Sequence, residues 1–200
     1  MKRVLPIGLI LLLAVALVWL SLLWNPEPQN SIKIKEVPKG GDFVLNSASG
    51  PVSLKSMRGK VVVLYFGYTM CPDVCPTSLT LLSTALNELS QEELKHIQGM
   101  FISVDPDRDS LERLQTYATF FHPNLIGVSG TNEQVAAVAK QYGSAYRRRA
   151  EESEMGYVVD HTADLYVVGR EGKLQGSIRH GAPPSEILQV LRRALAPDAK

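Results

Sequence analysis

The chain has two cysteines, Cys71 and Cys75, and both stand in one short segment, 66–76. An apolar, β-branched run precedes the segment and a helical spacing of apolar residues follows it, so Cys75 is expected at or beside a helix N-terminus. Unbonded N–H groups and the positive dipole end favour thiolate over thiol at such a place. Residues four apart across a helix start project to the same side, so both sulfurs can reach one atom. The pair is therefore a candidate for disulfide exchange or for metal binding.

Three uses of this cysteine pair compete. Disulfide oxidoreductases place their cysteines at the same point but usually with two intervening residues, whereas three separate Cys71 from Cys75. A structural zinc site takes four ligands, and two cysteines with scattered histidines make a poor set. Two thiolates suit Cu(I), which tolerates low coordination numbers. From cysteine chemistry alone, redox exchange and copper binding are equally open.

A third group, His161, separates these uses. The segment Asp160-His161-Thr162 is expected to open a strand at 164–168, on the side of an α/β sandwich that faces the cysteine loop. An imidazole there would complete a Cys2His site, holding Cu(I) through sulfur and Cu(II) with the nitrogen added. The remaining histidines are expected to be ordinary solvated or core residues: His96, His122 and His180. The placement of His161 favours copper.

The elements that must position these side chains alternate between strands and helices. Strands are predicted at 61–66, 100–104 and 125–128, hairpins at 43–54 and 164–179, and helices at 76–89, 110–121, 131–142 and 184–196. Such alternation predicts an α/β fold with a central mixed sheet flanked by helices. The globular domain is expected to span 41–196.

The N-terminus predicts a membrane anchor at 1–24. An apolar run from Val4 to Trp24 is long enough to cross a hydrocarbon core of about 30 Å. Lys2 and Arg3 precede it, so the positive-inside rule leaves the N-terminus cytoplasmic and exports the rest. A proline-containing linker, 25–40, follows.

The alternative for this N-terminal run is a cleaved signal peptide. Signal peptides have a shorter apolar stretch, roughly 7 to 15 residues, and a small-residue cleavage site. The run here ends in Leu22-Leu23-Trp24, without such a site. We therefore expect one uncleaved transmembrane helix in the inner membrane, with the domain on the periplasmic side. The net charge of +1 gives no indication of nucleic-acid binding.

Three motifs resemble those of the SCO/SenC family and occur in the family's order. They are YFGYTMCPDVCP at 65–76, VDPDRD at 104–109 and VDHT at 159–162. The resemblance covers roughly 41–195. It implies a thioredoxin-like fold and delivery of copper to the CuA centre of cytochrome c oxidase subunit II. It also implies that Cys71, Cys75 and His161 are the copper ligands.

The resemblance also keeps a redox alternative open. Some family members act as thiol-disulfide reductases on cysteines of the oxidase or of another extracytoplasmic copper chaperone. Thioredoxin-type reductases usually carry a proline before the strand that faces their cysteines, whereas His161-Thr162-Ala163 stands there in this chain. This difference favours metal binding. The expectation is a membrane-anchored copper metallochaperone, with an oxidoreductase as the alternative, and whether the chain is an enzyme is left open.

Two charged segments carry further hypotheses. Asp105, Asp107 and Asp109 begin like a calcium loop but lack its later glycine and glutamate, so they are expected to form a turn and cap the next helix. One of them could instead orient His161. The triplet 147–149, three arginines followed by glutamates, is expected to be a solvated hairpin tip, or else a docking surface for an oxidase subunit or lipid headgroups.

Overall fold

The computed structural model describes residues 38–150 and 156–196, together with Leu17 and Trp19. Apart from Leu17 and Trp19, the predicted anchor lies outside these residues, as does most of the predicted linker. Within the part of the chain that is described, no helix has the length and apolarity needed to cross a bilayer.

The described domain contains nine strands, five α-helices and one 3-10 turn at Leu54–Met57. The strands are β1 (Val44–Ser47), β2 (Gly50–Ser53), β3 (Val61–Gly67), β4 (Ile97–Ser103), β5 (Leu125–Val128), β6 (Tyr146–Ala150), β7 (Tyr157–His161), β8 (Leu165–Val168) and β9 (Leu174–Ile178). The helices are α1 (Val74–Asn87), α2 (Gln91–Lys95), α3 (Leu111–Phe121), α4 (Asn132–Tyr142) and α5 (Pro184–Leu195).

Five strands form one sheet in the order β5-β4-β3-β8-β9. The pairs β3–β4 and β4–β5 are parallel, and β3–β8 and β8–β9 are antiparallel. Two antiparallel ribbons, β1–β2 and β6–β7, stand apart from this sheet. The prediction of a central mixed sheet flanked by helices is confirmed.

The centre of the sheet is built from continuous apolar runs. Every residue of β3 is buried, as expected for a strand that is covered on both faces. Six of the seven residues of β4 are buried as well. Because β3 and β4 are parallel, the loops that follow them leave the same edge of the sheet. The loop after β3 carries Cys71, and the loop after β4 carries the three aspartates.

Local signals account for several helix boundaries. The hydroxyls of Ser110 and Thr131 accept from backbone N–H groups in the first turns of α3 and α4, as N-caps do. Helix α4 ends at Gly143, which adopts the left-handed conformation (φ +72°). The short helix α2 was not predicted, although Ser90 and Glu93 form a capping box at its start.

Two expectations about the last third of the chain are wrong. His161 does not open β8 but ends β7, because the Thr162 N–H bonds the Ala145 carbonyl and continues the ribbon with β6. The triplet 147–149 does not form a hairpin tip, because all three arginines lie within β6 and pair with β7. Residues 151–155, between the two strands, lie outside the described part.

Candidate metal centre

The two cysteines lie on either side of the start of α1. Cys75 is in the first turn and fully buried, while Cys71 precedes the helix and is 9% exposed. Both are free thiols. The Asp73 side chain at the N-cap position makes no capping bond; instead the Cys75 N–H donates to Cys71 Sγ at 3.4 Å. The sulfur of Cys71 therefore satisfies a helix N-terminal donor, as the sequence led us to expect.

His161 comes from the distant β6–β7 ribbon and meets both sulfurs. Its Nε2 lies 3.2 Å from Cys75 Sγ and 3.9 Å from Cys71 Sγ. The three potential ligand atoms all lie within 4.8 Å of one another. His161 Nδ1 lies 3.1 Å from the Thr162 carbonyl oxygen, which fits an Nδ1–H donor and leaves the Nε2 lone pair facing the sulfurs. The predicted convergence of Cys71, Cys75 and His161 is present.

The two thiols differ strongly in acidity. A hydrogen bond from the Cys75 thiol outweighs the cost of burial and, with bonds from the N–H groups of Asp73 and Cys75 at the helix start, lowers the pKa of Cys71 to about 4. Burial raises the pKa of Cys75 far above its usual range, and the adjacent Cys71 adds to this effect. At neutral pH the pair is therefore one thiolate and one thiol.

Two tyrosines confine the imidazole. The rings of Tyr65 and Tyr68 stand nearly perpendicular to the His161 ring, at centroid distances of 6.1 and 5.9 Å. The Tyr68 hydroxyl accepts from the Val159 N–H, and the Tyr65 hydroxyl donates to the Val74 carbonyl. These contacts connect the histidine strand and the start of α1 to β3 and the loop that follows it.

Gly67, the last residue of β3, allows the backbone to approach Cys75. A Cβ atom at this position would lie 2.7 Å from Cys75 Sγ and 2.9 Å from the Phe101 ring. Both distances are below ordinary contact distances, so any side chain here would displace the sulfur or the ring. The glycine therefore forms part of the site through close packing.

The aspartates after β4 support the site from outside. Asp109 is buried and accepts from the Thr69 N–H at 3.0 Å and from the Thr69 hydroxyl at 2.5 Å. Thr69 lies two residues before Cys71, so Asp109 fixes the cysteine loop. Among the described contacts, none of the three aspartates bonds the His161 ring, and the Thr162 carbonyl is its partner instead. Sequence reasoning missed both Thr69 and Thr162.

The other histidines take no part in the cluster. His96 lies beside Glu92, His122 accepts from the Asn124 N–H, and the His180 ring contacts the Ser78 hydroxyl. Cys71 and His161 line an open cleft of about 430 Å3 together with Asp73, Arg149 and Asp160, whereas the fully buried Cys75 does not line it. Two of the three potential ligands are therefore accessible from the cleft.

Known proteins share this architecture. A family model described as SCO1/SenC matches residues 33–196. The mitochondrial SCO1 homolog 1 of Arabidopsis thaliana is 38% identical over 150 residues, which are 72% of this chain and 45% of that protein. The mitochondrial SCO2 homolog of Bos taurus is 34% identical over 185 residues, 89% of this chain and 70% of that protein.

Among solved structures, ScoI of Bradyrhizobium japonicum with copper bound is 36% identical. It superposes with a TM-score of 0.70, over 78% of this chain and 99% of that one. This chain thus spans less than half of the Arabidopsis relative but almost all of the bacterial ScoI chain. With the family match over most of its length, the chain belongs to the SCO1/SenC family.

Proposed function

We propose that this protein is a membrane-anchored copper metallochaperone that delivers copper to the CuA centre of cytochrome c oxidase subunit II. Copper is its cargo. Cys71 and Cys75 bind Cu(I) as thiolates, and His161 completes the site for Cu(II). The single observation that carries the proposal is the meeting of one imidazole nitrogen and two free sulfurs within 4.8 Å, with Cys71 and His161 lining an open cleft.

The donor set fits copper better than the other metals considered. Thiolates select soft ions such as Cu(I), and added imidazole suits Cu(II). A structural zinc site takes four protein ligands, and the cluster offers three. The copper-bound ScoI of Bradyrhizobium japonicum supports the same assignment. When Cu(I) binds both sulfurs, the proton of the Cys75 thiol must leave.

Delivery follows from ligand exchange. Thiolates of the acceptor replace those of Cys71 and Cys75 one at a time, so copper is never released into water. The proposed helix at 1–24 and linker at 25–40 hold the domain, 41–196, on the periplasmic side of the inner membrane. Such a tether raises the effective concentration of the domain at a membrane-embedded oxidase.

The test is a transfer experiment. One portion of the full-length chain in detergent is loaded with Cu(I) and another with Cu(II), and both are mixed anaerobically with the metal-free copper domain of subunit II, because CuA takes two copper ions with the total charge of one Cu(I) and one Cu(II). We expect the absorption bands of CuA to appear with wild-type protein and to be absent with Cys71→Ser. Bands that form equally well with the variant would contradict delivery through this site.

A specific observation also favours a second candidate, an extracytoplasmic thiol-disulfide oxidoreductase. An acidic, partly accessible thiol beside a buried, protonated one is the arrangement that disulfide exchange uses, with Cys71 as the attacking group. Its substrates would be cysteines of the oxidase or of another copper chaperone. Reduction of insulin disulfides by catalytic amounts of the chain would support this candidate. A chain that transfers copper and does not reduce insulin would support the metallochaperone instead.

A further inference from the structure

The histidine and the cysteines belong to different parts of the fold. The cysteines follow β3 of the five-stranded sheet, whereas His161 ends β7, which pairs with β6 among the described strands. The hydrogen bonds of the central sheet therefore do not fix the position of the imidazole relative to the sulfurs. The distance between the imidazole and the sulfurs depends on the contacts that hold the β6–β7 ribbon against the rest of the domain.

One side chain, Arg108, makes several of these contacts at once. Its Nη1 donates to the Tyr157 carbonyl at 2.9 Å, and its guanidinium carbon lies 3.5 Å from the centroid of the Tyr157 ring. Its Nε donates to Asp105, whose side chain is completely buried. The same carboxylate accepts from the Tyr157 hydroxyl at 2.7 Å. Tyr157 begins β7, the strand that His161 ends.

The loop that contains Arg108 also binds the loop that carries Cys71. Asp109 binds Thr69 before Cys71, and its carboxylate accepts from the Ser103 hydroxyl at 2.6 Å. Within the loop, the N–H groups of Arg108 and Asp109 bond the Asp105 carbonyl. One short, internally bonded loop thus contacts the strand of the histidine at one end and the loop of the cysteines at the other.

We propose that Arg108 is a positioning residue that sets the His161 imidazole against the two sulfurs by clamping Tyr157 onto Asp105. The inference rests on the proposed copper site. The clamp needs an arginine, because a planar guanidinium group can bond a carboxylate and a carbonyl while it stacks on an aromatic ring. A lysine ammonium group cannot make all three contacts. Arg108 itself lies outside the ligand cluster.

The test compares Arg108→Lys with wild type in the full-length chain, titrated with Cu(I) and with Cu(II) against competing chelators. We expect Cu(II) affinity to fall about 10- to 100-fold, as when an outer partner of a metal ligand is removed, and Cu(I) affinity to stay within about threefold. Arg58→Lys is the matched control. Arg58 likewise bonds an aspartate and a carbonyl, those of Asp42 and Leu54, away from the cluster.

A double-mutant cycle with His161→Ala separates positioning from general stability. If Arg108 acts through His161, Arg108→Lys lowers Cu(II) affinity no further once the imidazole is gone. A metal-free readout is the hydrogen exchange of the β7 amides, which should accelerate in Arg108→Lys and not in Arg58→Lys. Equal losses of Cu(I) and Cu(II) affinity, or an additive cycle, would show a merely structural role and overturn the inference.

Failure of this inference is distinguishable from failure of the proposed function. If wild type and His161→Ala bind Cu(II) equally, the ligand role of His161 is wrong and the inference falls with it. If they differ and Arg108→Lys matches wild type, the positioning role alone is overturned. Should Arg108→Lys not fold, Tyr157→Phe, which removes the hydroxyl bond to Asp105 and keeps the ring, is judged by the same criteria.

Discussion

The Nε2 atom of His161 lies 3.2 Å from the Sγ atom of Cys75, although 86 positions separate the two residues in the chain. The contact joins the β6–β7 ribbon to the start of α1. One imidazole nitrogen beside a buried thiol and an adjacent thiolate forms a set of soft and borderline donors. Such a set suits copper.

Loss of the imidazole should affect the two oxidation states unequally. His161→Ala is expected to weaken Cu(II) binding by at least about tenfold, because Cu(II) favours nitrogen ligands, and to change Cu(I) binding much less. Competition titrations of the same preparation with each ion measure the difference. His180→Ala is the control, since that ring contacts Ser78 outside the cluster. Equal losses for both ions would count against the assigned role.

The two thiols should differ in their rates of alkylation. Iodoacetamide reacts with thiolates, so Cys71, with a pKa lowered to about 4, should be modified first even at about pH 6. Its rate should stay level from about pH 8 to 6 and fall only as the pH approaches that pKa from above. Cys75, buried and with a raised pKa, should react only in urea. Mass spectrometry of the peptides measures the alkylation of each cysteine. An alkylation rate of Cys71 that rises about tenfold per pH unit above pH 6 would contradict the lowered pKa.

A methyl group at Gly67 should disturb the metal site directly. Gly67→Ala places a Cβ atom against Cys75 Sγ and the Phe101 ring, an overpacking that typically costs about 1–3 kcal/mol of unfolding free energy. Cu(I) affinity should fall with it, because the sulfur is displaced. Gly176→Ala in β9 is the matched control, since a Cβ there meets nothing within 4 Å. Urea unfolding measures the free energy of unfolding, and Cu(I) titration measures the affinity. A Gly67→Ala variant with both quantities unchanged would contradict the close packing.

The bond between Asp109 and Thr69 should stabilise the cysteine loop. Asp109→Asn leaves buried donors without a charged acceptor and is expected to lower the free energy of unfolding by about 1–3 kcal/mol. Combination with Thr69→Val should give a coupling of about 0.5 kcal/mol or more in urea denaturation. Asp107→Asn in the same loop is the control, because its ion pair with Arg148 is half-exposed and weak. Strictly additive effects would argue against the bond.

The central sheet was predictable because its strands carry their own signal. The continuous apolar runs of β3 and β4 are typical of strands in a covered sheet, and the helical spacing of apolar residues after Cys75 marks the helix that follows β3. The ribbon was not predictable in the same way. Three of the five residues of β6 are arginines, a composition typical of solvated loops, and their carboxylate partners stand elsewhere in the chain.

The convergence of Cys71, Cys75 and His161 could be predicted, and the contacts that support it could not. His161 was assigned to the metal site although it was expected on the wrong strand, because either strand end brings the ring to the cysteine loop. The bonds of Asp109 to Thr69 and of Arg108 to Tyr157 join residues 40 and 49 positions apart. No local pattern specifies such pairs, so only the three-dimensional arrangement shows them.

The most direct test of the copper site is an anaerobic Cu(I) titration of the reduced full-length chain, followed by X-ray absorption at the copper edge. The account predicts one tightly bound Cu(I) per chain, with sulfur as the main neighbour of the metal. It also predicts that Cys71→Ser or Cys75→Ser abolishes this binding. Failure to bind one equivalent, or binding that survives the loss of either sulfur, would contradict the account.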